Sequence, residues 1–133
     1  MSTETGKIHN LYVTDQGNHT IRKVVIASGA ATTLAGTPGS AGSADGFGSA
    51  ARFHSEYDIA TDGTNVHVVD SFNHTIRKIA IATGAVTTLT GTAGSSGSID
   101  GARSVARFNY PYDVATDGTN LYVVHGNSSA SQG

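Results

Sequence analysis

Two aspartates, Asp58 and Asp113, occupy the same place in two copies of one pattern, Tyr57-Asp58 and Tyr112-Asp113, 55 residues apart. Carboxylates brought close together repel unless a cation or hydrogen-bond donors compensate them. A ring of such positions facing one opening would therefore take a divalent metal ion or a cationic group. The simpler alternative is that each aspartate caps backbone amides at the end of a loop. Tyr57, Tyr112, His54 and Asn109 flank the pair and complete a candidate ligand-binding set. His19 and His74 recur at the same spacing, and imidazole binds metals and moves protons near neutral pH. Residues one period apart sit in separate structural units, however, whereas zinc ligands must converge within about 2.0 to 2.1 Å of one ion. The expectation is structural: Asp15 and Asp70 accept hydrogen bonds in a turn that Asn18 and Asn73 complete, with His19 and His74 beside it.

Other chemistry is poorly supported by the residue types. Arg22-Lys23 and Arg77-Lys78 are few, balanced by acids, and lack a clustered aromatic platform, so a nucleic-acid partner is not expected. The net charge of −2 argues the same way. No nucleophile elbow, phosphate-binding glycine motif or zinc spacing occurs. Runs such as Gly39-Ser40-Ala41-Gly42-Ser43 lack the lysine and the strand-to-helix setting that phosphate binding needs. There is no cysteine, which removes disulfides and thiolate chemistry and leaves the compartment open. No apolar stretch approaches the roughly 18 residues of a spanning helix, and Met1 to Lys7 lacks the features of a secretory signal. No membrane partner is expected.

The elements that position these residues follow from the period. Asn18-His19-Thr20-Ile21-Arg22-Lys23 returns as Asn73-His74-Thr75-Ile76-Arg77-Lys78, and Ala51-Arg52-Phe53 returns as Ala106-Arg107-Phe108. Seventeen glycines, 7% aromatic residues and no tryptophan suit β-structure packed from small and branched side chains. Residues 57 to 92 show one unit complete. Tyr57 to Thr61 reads as strand a, and Asp62-Gly63-Thr64-Asn65 as a hairpin turn that exploits the positive φ of Asp-Gly. Val66 to Asp70 reads as strand b, whose run Val-His-Val-Val lacks strict alternation and so predicts burial on both faces. Thr75 to Ala82 and Val86 to Thr90 follow as strands c and d. The result is a four-stranded antiparallel meander. The Gly/Ser-rich stretch after it ends in the repeated Ala-Arg-Phe, so it is a fixed connection. Phe53 and Phe108 are expected to anchor it between sheets, and Arg52 and Arg107 to pair with Asp45 and Asp100.

Tandem four-stranded meanders, each covered by its neighbours, describe an all-β fold of β-propeller blades. The motif Asp-x-x-Asn-His-Thr-Ile-Arg-Lys, the following Gly-x-x-Thr-Thr-Leu, and the series Asp-Gly, Ala-Arg-Phe and Tyr-Asp-x-Ala-Thr-Asp-Gly-Thr-Asn together resemble NHL-repeat propellers, especially bacterial ones with long glycine-rich inter-blade loops. The resemblance covers about residues 8 to 125. It departs from the family pattern at Asp58 and Asp113, where a glycine is common, and at Glu56, where Pro111 keeps the usual proline. The organisation it implies is an N-terminal extension (1–7), a partial blade of strands b, c and d (8–36), an inter-blade loop (37–56), a complete blade (57–91), a second loop (92–111), a partial blade of strands a and b (112–125) and a tail (126–133).

Family members close rings, most often six-bladed, which about two blades cannot do alone. An isolated chain would leave apolar faces and strand edges open, so a homo-oligomer is expected, with three copies making six blades head to tail. Leu11 to Asp15 and Leu121 to His125 compete for the b position of the composite blade. The leading functional expectation is a non-catalytic binding or scaffold module that uses the loop-rich top face and central opening, with a protein or glycan ligand and no cofactor beyond the axial cation. The resemblance also admits a metal-dependent lyase or hydrolase with its site at the axial mouth, coordinated by Asp58 and Asp113.

Overall fold

The protein is described by a computed structural model over residues 10–126. The expected N-terminal extension (1–7) and the tail beyond Gly126 lie outside the described residues. Within them the chain forms strands β1 (Asn10–Asp15), β2 (Thr20–Val25), β3 (Ala30–Ala35), β4 (Gly46–Phe47), β5 (Glu56–Thr61), β6 (Asn65–Asp70), β7 (Thr75–Ala80), β8 (Ala85–Gly91), β9 (Pro111–Thr116) and β10 (Leu121–His125). They assemble as an antiparallel sheet β1-β2-β3, a central sheet β4-β8-β7-β6-β5, and a pair β10-β9.

Turn chemistry closes the hairpins. Thr64 and Asn65 donate their amides to Asp62 Oδ1 at 2.9 and 2.8 Å, while Gly63 takes φ of 91°. Asp117 does the same for Thr119 and Asn120 between β9 and β10. These bonds hold both carboxyls below the ordinary range, Asp117 at about 2. Strand β7 stops at Ala80, two residues earlier than the periodicity predicts, because the Ala80 carbonyl is taken by the amides of Thr83 and Gly84.

Two pairs of sheet faces make the core. On one side of the central sheet Val66, Val68, Ile79 and Val86 pack with Ile21, Ala35, Ala51 and Phe53, all nearly inaccessible. On the other, Val69 and Ile76 meet Val114, with Phe108, Leu121 and Val123 packed against them. Both faces of β6 are thus buried, as the lack of strict alternation in Val-His-Val-Val predicts. Burying each such side chain contributes about 1.5 to 3 kcal/mol, so the central sheet is held from both sides. Phe53 and Phe108 anchor their connections between sheets.

The connection between β3 and β5 differs from a plain loop. Gly46 and Phe47 pair with Val86 and Ala85, adding β4 to the outer edge of the central sheet. A two-residue strand containing glycine has no periodicity to betray it. It forms because β8 offers an open edge, and covering such an edge protects it.

Candidate functional site

The connections entering β5 and β9 and the turns leaving β1 and β6 meet at one end of the sheets. Gly39 donates its amide to the Asn18 carbonyl at 3.0 Å, Phe72 to the His54 carbonyl at 3.2 Å, and the Asn73 side chain to the Gly42 carbonyl at 2.7 Å. This end carries the repeated polar motif. Asn18 donates to Asp15 at 3.3 Å and Asn73 to Asp70 at 2.8 Å. His19 and His74 adopt the left-handed conformation, φ 63° and 59°, that closes each turn. Their Nδ1 atoms accept amides from the following connection, His19 from Ser55 at 3.1 Å and His74 from Tyr110 at 3.0 Å. Loss of hydration lowers the His74 pKa, which keeps the ring in the neutral form that accepting requires. The histidines therefore tie successive units together.

The clamp beneath this end is built differently from the local pairing predicted. Asp45 does not pair with Arg52. It pairs with Arg77, from a strand 32 residues further on, at 2.8 Å. Arg77 is 1% exposed and its guanidinium also reaches Asp70 at 2.9 Å, the Arg52 carbonyl at 2.8 Å and the Ala44 carbonyl at 2.9 Å, with the Phe53 ring centred 5.0 Å away. Burial pushes the Asp70 carboxyl up, against the donors Asn73, His54 N–H and Arg77 that hold it. Arg52 instead binds the Ser49 and Ala51 carbonyls and Thr37. Arg107 likewise bonds carbonyls of residues 104 to 106 and Thr92 rather than Asp100. With two neighbouring carbonyls and the Thr37 hydroxyl in reach, the Arg52 guanidinium is satisfied locally, which leaves Asp45 for the buried arginine.

Asp58 and Asp113 do come together, at facing positions on β5 and β9. Asp58 accepts the Val114 amide at 3.0 Å and is hydrogen-bonded to the Asp113 carboxyl. Burial works to raise the Asp58 pKa, but the hydrogen bonds from Asp113, Val114 N–H and Ile59 N–H outweigh it and the carboxyl is held low. The bond to Asp58 pushes Asp113 up, aided by lost hydration and by repulsion from Asp58. The two carboxyls are thus pushed in opposite directions, and backbone amides supply part of the compensation for Asp58. Calcium takes about six to eight oxygens, and among the described residues no group of three or more histidines and acids could hold a metal.

Tyr57 and Tyr112 are 43% and 48% exposed on the same two strands. Asn109 is engaged with the frame: its amide is bonded to His125 Nδ1 at 2.9 Å and its side chain to the Gly126 carbonyl. His54 belongs to a row of rings that crosses the connecting end. His19 and His54 lie 5.3 Å apart, His54 and Phe72 4.9 Å, Phe72 and Tyr110 5.6 Å, and Tyr110 and His74 4.4 Å. Phe72 and Tyr110 are 45% and 44% exposed. Sequence reasoning did not join them into one site. Their signal was their departure from the repeat, since Gly17 and Ser55 stand at the equivalent positions.

Meanders stacked face to face, with β5 and β9 adjacent and long connections at one end, define blades of a β-propeller. No family model matches the chain. NHL repeat-containing protein 2 of Bos taurus is 30% identical over 128 residues, 89% of this chain and 18% of that protein. A structural genomics protein of unknown function from Bacteroides thetaiotaomicron VPI-5482 superposes with a TM-score of 0.80 at 28% identity, covering 88% of this chain and 30% of its own. An auxiliary nutrient binding protein from Bacteroides ovatus ATCC 8483 gives 0.72 at 27%, covering 86% and 32%. The chain is an NHL-repeat β-propeller protein that spans 18% to 32% of the lengths of these relatives.

Proposed function

We propose that the protein is a non-catalytic ligand-binding module whose recognition surface is the ring row at the connecting end. The row itself carries this reading. Of two half-exposed rings, Phe72 is tilted against His54 and T-shaped against Tyr110, and Tyr110 is T-shaped against His74, which is itself fixed in a left-handed turn. A rigid frame presenting aromatic faces beside polar backbone suits a glycan, whose sugar rings offer C–H faces and hydroxyls together. The name of the Bacteroides ovatus relative is consistent with ligand binding. Titration calorimetry against a panel of oligosaccharides tests it: Phe72→Ala and Tyr110→Ala should each weaken binding at least about tenfold, which is about 1.4 kcal/mol. Unchanged affinity in both variants would move the site elsewhere.

The module is further proposed to close its ring with copies of itself, three chains supplying six blades. Leu11 and Val13 are 52% and 42% exposed, whereas Val66 and Val68, one period on, are wholly buried against the preceding sheet. At the opposite end, a groove of about 610 Å³ opens beside Ile76, Leu89 and Val123, over the part of the central sheet that β9 and β10 leave uncovered. One face asks for what the other offers, which is the condition for a head-to-tail interface. Light scattering should give roughly three times 13.5 kDa. A monomer across the micromolar range would refute it.

A further inference from the structure

The Arg77 seat has a second copy one period along the chain, with no arginine in it among the described residues. Arg77 is received by the Ala44 and Arg52 carbonyls, Asp45, Asp70 and the Phe53 ring. Adding the period to these gives Ile99, Arg107, Asp100, His125 and Phe108. All five line one cavity of about 490 Å³. The arginine that would enter it falls at position 132, and the sequence has glutamine there. Asp100 forms no ion pair among the described residues.

The earlier equivalent of Arg77 is Arg22, on β2. Among the described residues its guanidinium has one partner, Asp15 at 3.4 Å, and its side chain is 37% exposed. Its Nε is buried without a partner. Arg22 lies with Val13, Val24 and Ala31 on the uncovered face of the first sheet, the face whose repeat counterparts are buried. We infer that Arg22 of a second copy enters this cavity and binds the Ile99 and Arg107 carbonyls and Asp100, with its guanidinium over Phe108. The inference rests on the ring reading above and supplies its specificity. Two carbonyls and a carboxylate call for a cation with several donors and repel an acidic side chain, and Arg22 on the open face of a copy supplies such a cation.

The test is the association of the full chain with Arg22→Ala. Arg22 is part-exposed, and circular dichroism should show the variant folded. Sedimentation or light scattering should show association weakened at least tenfold, and ethylguanidinium, which fits the vacated seat, should restore it. Asp100→Asn, at the other end of the chain, should weaken association independently and respond little to ethylguanidinium. An oligomeric wild type with an equally oligomeric Arg22→Ala overturns the arginine clasp and leaves the ring intact. A monomeric wild type overturns both.

Discussion

Glu56 offers the sharpest quantitative test of how this chain is held together. It opens β5, is wholly inaccessible, and among the described residues neither carboxyl oxygen has a hydrogen-bond partner on any other residue. Burial pushes its pKa up to about 8, partly offset by a bond from its own backbone and reinforced by the nearby acids Asp70 and Asp15. The folded protein therefore keeps the Glu56 proton to about pH 8, while the unfolded chain releases it near pH 4.5. Stability from this group is fully present below pH 4.5 and is lost as pH rises through 8. Each pH unit costs about 1.4 kcal/mol, so the whole window removes about 5 kcal/mol. That is large beside a typical folding free energy of about 5 to 15 kcal/mol. Glu56→Gln keeps the shape and abolishes the titration. Urea unfolding of both proteins at pH 5, 6, 7 and 8, at one fixed protein concentration, isolates the effect, because contributions from other titrating groups cancel in the difference. The variant should gain on the wild type by about 1.4 kcal/mol per unit across that range. Parallel profiles would show that Glu56 is ionised in the folded state, and the burial argument would fail.

Two other substitutions probe the frame. Arg77→Met fills the space but strands Asp70 in the core without its cation, and should cost about 3 to 5 kcal/mol in denaturant unfolding; a cost below 1 kcal/mol would mean that the seat contributes little. Gly91→Ala places a Cβ 2.6 Å from the His74 carbonyl at φ +90°, whereas Gly94, at φ +82°, has nothing within 4 Å. Gly94→Ala should cost about 1 kcal/mol from backbone strain alone and Gly91→Ala at least about 2 kcal/mol more, read as a clear separation in melting temperature. Equal costs would show that the close approach relaxes freely.

The strands and hairpins were legible in the sequence because their signals are local. Asp-Gly at 62 and 117 fixes two turns, Asp-x-x-Asn-His fixes two more, and the lack of strict alternation in Val-His-Val-Val of β6 announces burial on both faces. The Arg77 clamp was not legible. Its partners come from residues 44, 45, 52 and 70, and a reading confined to neighbours assigned Asp45 to Arg52. Strand β4 was hidden for a related reason, since its pairing depends on the edge of β8 and not on its own two residues. The ring row lies between these cases. Each ring was visible, but only the fold reveals that residues 19, 54, 72, 74 and 110 share one surface.

The two junctions of the chain show how such a surface arises without disturbing the frame. At both, a histidine in the left-handed conformation accepts the amide of a residue 36 positions later, at 3.1 and 3.0 Å, and that residue itself has positive φ. In one junction it is Ser55 and in the other Tyr110, so the backbone geometry is constant while the side chain changes from a hydroxymethyl to an exposed ring. Gly17 and Phe72 differ in the same way, at the turn that packs beside it. At the clamp positions, which are buried in the central blade, the first two repeats instead keep their residues, Asp15 with Asp70 and Arg22 with Arg77. Change is tolerated at the outer positions because the hydrogen bonds there run through the backbone, which any side chain carries. A binding surface can therefore be altered one repeat at a time, while the histidine ties hold successive blades in register.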